Sequence, residues 1–201
     1  MQQAQHGCVG EAGDENECGD REVRRGAIER ASKPGRGGVL PAQKVTEEIA
    51  RIRGIPVGQV SSSPNRHRDI SNTEQLLELM HRVRTVTGRP VGFKAVFGSE
   101  SFPRELCETI HLKGVDYAPD FITVDGGEGG TGASPQVLAD NVGLPLAESL
   151  PIVVDTLTTY GLREQIKVIA SGKLVTSSEV AWVLCMGADF AVSARGFMFA
   201  L

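Results

Sequence analysis

Several things are scarce in this 201-residue sequence. There is no basic surplus: 21 Lys and Arg stand against 25 Asp and Glu, for a net charge of −4. That balance argues against a nucleic-acid-binding or membrane-surface protein, which would carry a basic face. No run approaches the roughly 18 consecutive apolar residues of a membrane span. The first residues, Met1 to Glu17, are polar and Gly-rich and lack the basic-then-apolar order of a secretory signal. The four cysteines, Cys8, Cys18, Cys107 and Cys185, form no CxxC pair, which suits a reducing cytoplasm better than a disulfide framework. His67, His81 and His111 show neither HxxxH nor HExxH spacing, so no metal site is expected. Cys107, Cys185, Trp182 and Met186 fall within helical patterns and read as core residues.

What is present is a hydrophobic share of 40%, enough for one buried core. Residues 1–30 stand apart. They are crowded with Gly, Glu, Asp, Asn and Arg, with isolated aliphatics such as Val9, Val23 and Ile28. Such a segment buries too little apolar surface to offset its ordering entropy, so it is expected to be disordered or a non-native leader. Residues 31–201 read as the folded domain.

Within that domain two textures alternate. Thr46 followed by Glu47, Glu48, Ile49 and Ile52 predicts a capped short helix ending near Gly54. Residues 56–71 look like an irregular loop. Leu76, Leu77, Met80, Val83 and Val86 recur at helical spacing within 73–86, and Gly88 ends the pattern. Helices are also expected over 103–112, over 146–160 with a break or restart at Pro151, and over 177–186. Strands are expected at 91–97, 121–124, 168–170 and 188–192. Strand and helix alternating without tight hairpins implies parallel strands joined by crossovers. Each strand runs into a polar or glycine-rich loop, the barrel arrangement, whereas a doubly wound sheet carries its Gly-rich signature after the first strand. Four strands cannot close an eight-stranded barrel, which takes ~250 residues. The expectation is therefore an α/β fold, the last four βα units of a (β/α)8 TIM barrel, with the chain ending inside a helix at Phe197–Leu201.

The chemistry-bearing residues lie on the loops after these strands. Asp125 is followed by five glycines between 126 and 132, interrupted by Glu128 and Thr131. Gly126, Gly127, Gly129 and Gly130 let the backbone approach a ligand closely, while Asp125, Thr131 and Ser134 add polar groups. A tight surface loop would use the same glycines. The position just after a buried strand favours a site, since barrel active sites sit there. Ser171, Gly172 and Lys173 follow the next strand, and Ala194 and Arg195 follow the last. Loops after the final two barrel strands often hold a phosphate through backbone N–H groups, although two ordinary strand ends would look similar. Lys94 lies inside the apolar strand Val91-Gly-Phe-Lys-Ala-Val-Phe97. A lysine buried there needs a partner. Pointing inward it would be catalytic or cofactor-facing; pointing outward it would snorkel past the helix layer.

Taken together these segments resemble the FMN-binding domain of glutamate synthases, especially its shorter stand-alone members. The likeness is carried by Lys33-Pro-Gly-Arg-Gly-Gly-Val-Leu-Pro41, Lys44-Val-Thr-Glu-Glu-Ile49 with Arg53-Gly-Ile-Pro56, Asp125-Gly-Gly-Glu-Gly-Gly-Thr-Gly-Ala133, Gly161-Leu-Arg163 and Ala194-Arg-Gly-Phe-Met-Phe-Ala-Leu201. The resemblance implies a barrel holding FMN at the C-terminal ends of its strands. It implies an oxidoreductase that joins 2-oxoglutarate with ammonia, free or glutamine-derived, and reduces the resulting 2-iminoglutarate to L-glutamate, with an electron-donor protein as partner. Lys94 would stand beside flavin and oxo-acid, and the loops at 126–132, 171–173 and 194–196 would form the FMN shell. The iron–sulfur cysteines of the family would belong only to a longer protein, as would the glutaminase domain. Where family members carry Ser-Gln-Gly-Ala before the Lys-Pro-Gly, this chain has Glu29-Arg-Ala-Ser32. Competing expectations are an FMN barrel of the 2-hydroxyacid-oxidase or inosinate-dehydrogenase kind, and a non-catalytic fragment. The isolated 201-residue chain is expected to bind FMN weakly or not at all.

Overall fold

The computed structural model describes residues 39–62, 70–128 and 143–200. The expectation of a disordered leader over 1–30 therefore lies outside the described residues, as do Gly129, Gly130, Thr131 and Ser134. Along the chain, β1 (Val39–Leu40) leads through a 3-10 turn at Ala42–Lys44 into α1 (Glu47–Arg53) and β2 (Ser61–Ser62). Then come α2 (Thr73–Thr87), β3 (Gly92–Val96), α3 (Ser101–Lys113), β4 (Phe121–Asp125), α4 (Leu146–Thr159), β5 (Lys167–Ser171), α5 (Ser177–Cys185), β6 (Phe190–Val192) and α6 (Arg195–Phe199).

Four strands form one sheet in the order β3-β4-β5-β6, each pair parallel. Sequential parallel order with a helix between neighbours is how consecutive units of a (β/α)8 barrel sit. A doubly wound sheet would reverse strand order at a switch point. The small β1–β2 pair is antiparallel and lies partly inside the segment read as an irregular loop. Two-residue strands of ordinary composition leave no alternation to detect.

Helix ends follow their sequence signals. The Thr46 hydroxyl accepts from the Ile49 N–H, and Gly54 closes α1 at φ 63°. Asn72 caps α2 through the Gln75 N–H, and Gly88 ends it at φ 64°. Thr176 and Glu179 form a reciprocal capping box on α5.

The expected break at Pro151 is corrected: α4 runs unbroken from Leu146 to Thr159. Pro151 sits in the second turn, where its ring removes a single N–H from the ladder. Leu146, Leu150, Val153 and Leu157 are all buried against the sheet side, and that burial holds the helix together. The last strand is shorter than expected, Phe190–Val192, because Ala188 and Asp189 belong to the turn before it.

Strand parity divides the sheet into two faces. Phe93, Ala95, Ile122, Val124, Val168 and Ala170 are buried in the core with the helices, and Phe93 and Phe97 pack on Phe102 of α3 at ring separations of 6.0 and 5.9 Å. The opposite face carries Lys94, Val96, Thr123, Asp125, Ile169, Ser171, Phe190 and Val192 by the register of the pairs. In a barrel this is the inner face. Cys107 is buried as expected. Trp182 and Cys185, read as core, are not: Trp182 is 37% exposed and Cys185 is exposed. Helical spacing in α5 identifies a face but not what covers it, and among its residues only Val183 is buried.

Candidate active site

Lys94 points to the inner face near the C-terminal ends of the strands, the direction that a ligand-facing role requires. Its ammonium Nζ lies 3.2 Å from Asp125 Oδ2 and donates to Ser171 Oγ at 3.3 Å. Three adjacent strands thus meet in one polar cluster: β3 supplies the lysine, β4 the carboxylate and β5 the hydroxyl. The side chains of Lys94 and Asp125 are only 15% and 7% exposed. Burial pushes the Asp125 carboxyl up to about 6, although Lys94 and the Ser171 hydroxyl pull it down, and Glu128 adds to the rise. A buried carboxylate with a raised pKa beside a cation is the kind of perturbed pair that collects at functional sites.

The loops above the cluster are stitched to the strand ends. Gly126 N–H donates to the Ser171 carbonyl at 2.7 Å, Gly127 N–H to Leu144 O at 2.8 Å, and Leu144 N–H to Phe97 O at 2.9 Å. Gly127 packs directly on the Gly143 carbonyl, so no side chain fits there. Glu128 folds back over Gly126 and caps α4, both carboxylate oxygens lying 3.0 Å from the Leu146 N–H. An acid at a helix N-terminus is favourable.

Gly172 has φ +149°, and a Cβ on it would lie 3.0 Å from Gly126 N and 3.1 Å from Gly126 Cα. Only glycine suits that position. Lys173 beside it has φ 44°. Positive φ at a non-glycine residue is uncommon and concentrates in functional turns.

Among the site residues expected from the sequence, Lys94, Asp125, Gly126, Gly127, Ser171 and Gly172 come together, with Lys173 continuing the same turn. Ala194 and Arg195 stand at the end of the neighbouring strand. Their loop is fixed to the 172–175 turn by Ser193 Oγ donating to Leu174 O at 2.6 Å and by Gly196 lying against Val175 O. Gly129, Gly130 and Thr131 lie outside the described residues. Sequence reading missed that Asp125 is engaged by Lys94, and that Glu128 caps α4. The second carried no local signal, since Glu128 lies 18 residues before Leu146, although the Pro145 N-cap of that helix makes no side-chain cap bond. Among the described residues no group of three or more His, Cys, Asp or Glu is placed to hold a metal, and no helix is long and apolar enough to cross a membrane.

Consecutive parallel βα units with a lysine-centred polar cluster at the strands' C-terminal ends define a barrel-type α/β domain. The chain belongs to the glutamate synthase family: the family described as "Conserved region in glutamate synthase" matches residues 26–201. It is 48% identical over 167 residues to the glutamate synthase large subunit-like protein YerD of Bacillus subtilis, covering 83% of this chain and 31% of that protein. It is 36% identical over 178 residues to the archaeal glutamate synthase [NADPH] of Methanocaldococcus jannaschii, covering 87% and 33%. Against the archaeal-type glutamate synthase [NADPH] of Thermotoga sp. (strain RQ2) identity is 35% over 164 residues, covering 81% and 31%. The chain thus spans about a third of the length of these relatives.

Proposed function

We propose that this chain forms part of the flavin-binding barrel of a glutamate synthase-type oxidoreductase, with FMN as the cofactor. Bound there, FMN would supply hydride transfer to a 2-imino acid derived from 2-oxoglutarate and ammonia. The observation that carries the reading is Lys94 on the inner face, beneath two glycine turns. The Gly172 cradle, where a Cβ would meet Gly126 N at 3.0 Å, fits a group that needs close backbone approach.

In this reading Lys94 places a positive charge beside the flavin and a substrate carboxylate. Asp125, Gly126 and Gly127 form one wall, and Gly129, Gly130 and Thr131 are assigned to the cofactor by their sequence motif alone. The amides of Ser171, Gly172, Lys173 and Ala194, with Arg195, hold the FMN phosphate; amides and a guanidinium aimed in advance suit a dianion. Each single contribution of a helix end is small, about 0.3–1 kcal/mol, so several donors must converge. The substrates are small molecules, with ammonia free or drawn from glutamine, and electrons come from a donor protein. Iron–sulfur ligands would lie in a longer polypeptide, and a cytoplasmic setting suits the chemistry.

The test uses the intact protein, loaded with FMN and reduced anaerobically by dithionite, then supplied with 2-oxoglutarate and ammonium. L-Glutamate is expected, and Lys94→Met is expected to lower its formation by at least tenfold. FMN binding without any glutamate would favour the reading as another FMN-dependent barrel oxidoreductase.

A further inference from the structure

Lys94 has no second acid within ion-pair distance among the described residues: its contacts are Asp125 Oδ2 at 3.2 Å and Ser171 Oγ at 3.3 Å. The cation that would meet an incoming anion is therefore already engaged by a carboxylate of its own chain. An anion arriving at Lys94 must share or displace that partner. Leaving Asp125 charged but weakly paired, at 5% exposure, would cost a desolvated ion; taking up a proton avoids this.

We infer that Asp125 and an incoming substrate or cofactor anion compete for Lys94, so that anion binding is coupled to uptake of one proton by Asp125. Asp125 is then a positioning residue: it holds the Lys94 ammonium in place before the anion arrives and gives it up as a neutral acid afterwards. The groups around it are consistent with that exchange. Lys94 on β3 and the Ser171 hydroxyl on β5 stabilise its charged form, while Glu128, on the loop after β4, opposes it. Removing the pull of Lys94 leaves burial and Glu128 to favour the acid. Ser171 turns from donor to acceptor when the proton arrives, so the neutral acid keeps a hydrogen bond. Because Asp125 is poised at about 6, the exchange operates near neutral pH. The linkage has a definite sign. Anion affinity is highest below the free midpoint and falls as pH rises toward the bound midpoint, by at most about tenfold per pH unit for one proton.

This inference rests on the proposed function for the identity of the anion, and the experiment separates the two. The side-chain carboxyl 13C shift of Asp125 is followed against pH in the full chain, alone and with saturating 2-oxoglutarate, while the Gly126 and Gly172 amides report binding. The expected result is a midpoint near 6 that rises by a unit or more with 2-oxoglutarate. Asp125→Asn should bind 2-oxoglutarate with no such pH dependence and several-fold more tightly at pH 8. Amide shifts with an unmoved Asp125 midpoint would overturn the inference. Absent amide shifts would count against the proposed substrate instead, and Lys94→Met then decides the coupling without any ligand. In that variant the Asp125 midpoint should rise; an unchanged midpoint overturns the inference.

Discussion

Asp125 and Asp189 sit at opposite ends of the parallel sheet and titrate in opposite directions. Burial raises the Asp125 carboxyl to about 6 from 3.8. Its folded value lies above its unfolded one, so its contribution to stability is fully present at low pH and is lost as pH rises through about 6. At roughly 1.4 kcal/mol per unit, the loss is at most about 3 kcal/mol. Asp125→Asn cannot ionise, so its stability relative to wild type should climb between pH 4 and 7; urea unfolding at a series of pH values checks it, and a flat difference would contradict it. For Asp189, burial pushes the carboxyl up, but the Val168 N–H, Arg163 and Lys167 outweigh burial and hold it below the ordinary range. Its contribution is present above that range and lost as pH falls through the folded value. The two thiols among the described residues also diverge. Burial, with Glu108 nearby, pushes the Cys107 thiol up to about 12, while Cys185 is exposed. Iodoacetamide on the native protein, mapped by mass spectrometry, should modify Cys185 and leave Cys107 untouched until denaturant is added.

At the N-terminal ends of the strands one brace is built twice. Asp120, just before β4, accepts from the Val91 N–H at 2.6 Å and from Arg84 Nε at 2.9 Å, and Arg84 also reaches Asp116 O and Ala118 O. Asp189, just before β6, accepts from the Val168 N–H at 2.7 Å and from Arg163 at 2.8 Å, and Arg163 also reaches Gly187 O and Ile166 O. Each guanidinium ties the end of one strand's approach to the turn before another, a fixed fork that lysine cannot reproduce. Arg163→Ala should cost about 2 kcal/mol, typical of hydrogen bonds to a charged group, with Arg163→Lys recovering only part of it in urea midpoints. An unchanged Arg163→Ala midpoint would show the brace to be decorative. Neither brace was legible in the sequence, because its members lie 36 and 26 residues apart and no short motif joins them. Strands and helix caps were legible, since Thr46, Gly54, Gly88 and the β-branched runs act on their own neighbours. Pro151 misled because a local rule was outweighed by the burial of Leu150 and Val153. Lys94 was legible as a misfit in an apolar strand, whereas its partner Asp125 became visible only through the strand register that sets Val96 opposite Asp125 and Asp125 opposite Ser171.

At the scale of the molecule the two ends of the sheet divide the work. The braces fasten the end where the strands begin; Lys94, the glycine turns and Glu128 gather where they finish, the division expected of barrel enzymes. Gly172 joins the two roles of its end, since its backbone geometry and its closeness to Gly126 both exclude a side chain. Gly172→Val should therefore weaken FMN binding at least tenfold in the intact protein, read by quenching of flavin fluorescence, and equal affinities would place the phosphate elsewhere. The central claim, that flavin occupies the inner face above Lys94, is tested most directly by mapping amide shifts on this chain as FMN is titrated to millimolar concentration, where even weak binding registers. The account expects shifts at Gly126, Gly127, Gly172, Lys173, Ala194 and Arg195, and none at His81, Arg84 or Gln165, which line a cavity of about 460 Å³ at the opposite end. Shifts confined to that lower cavity would contradict it.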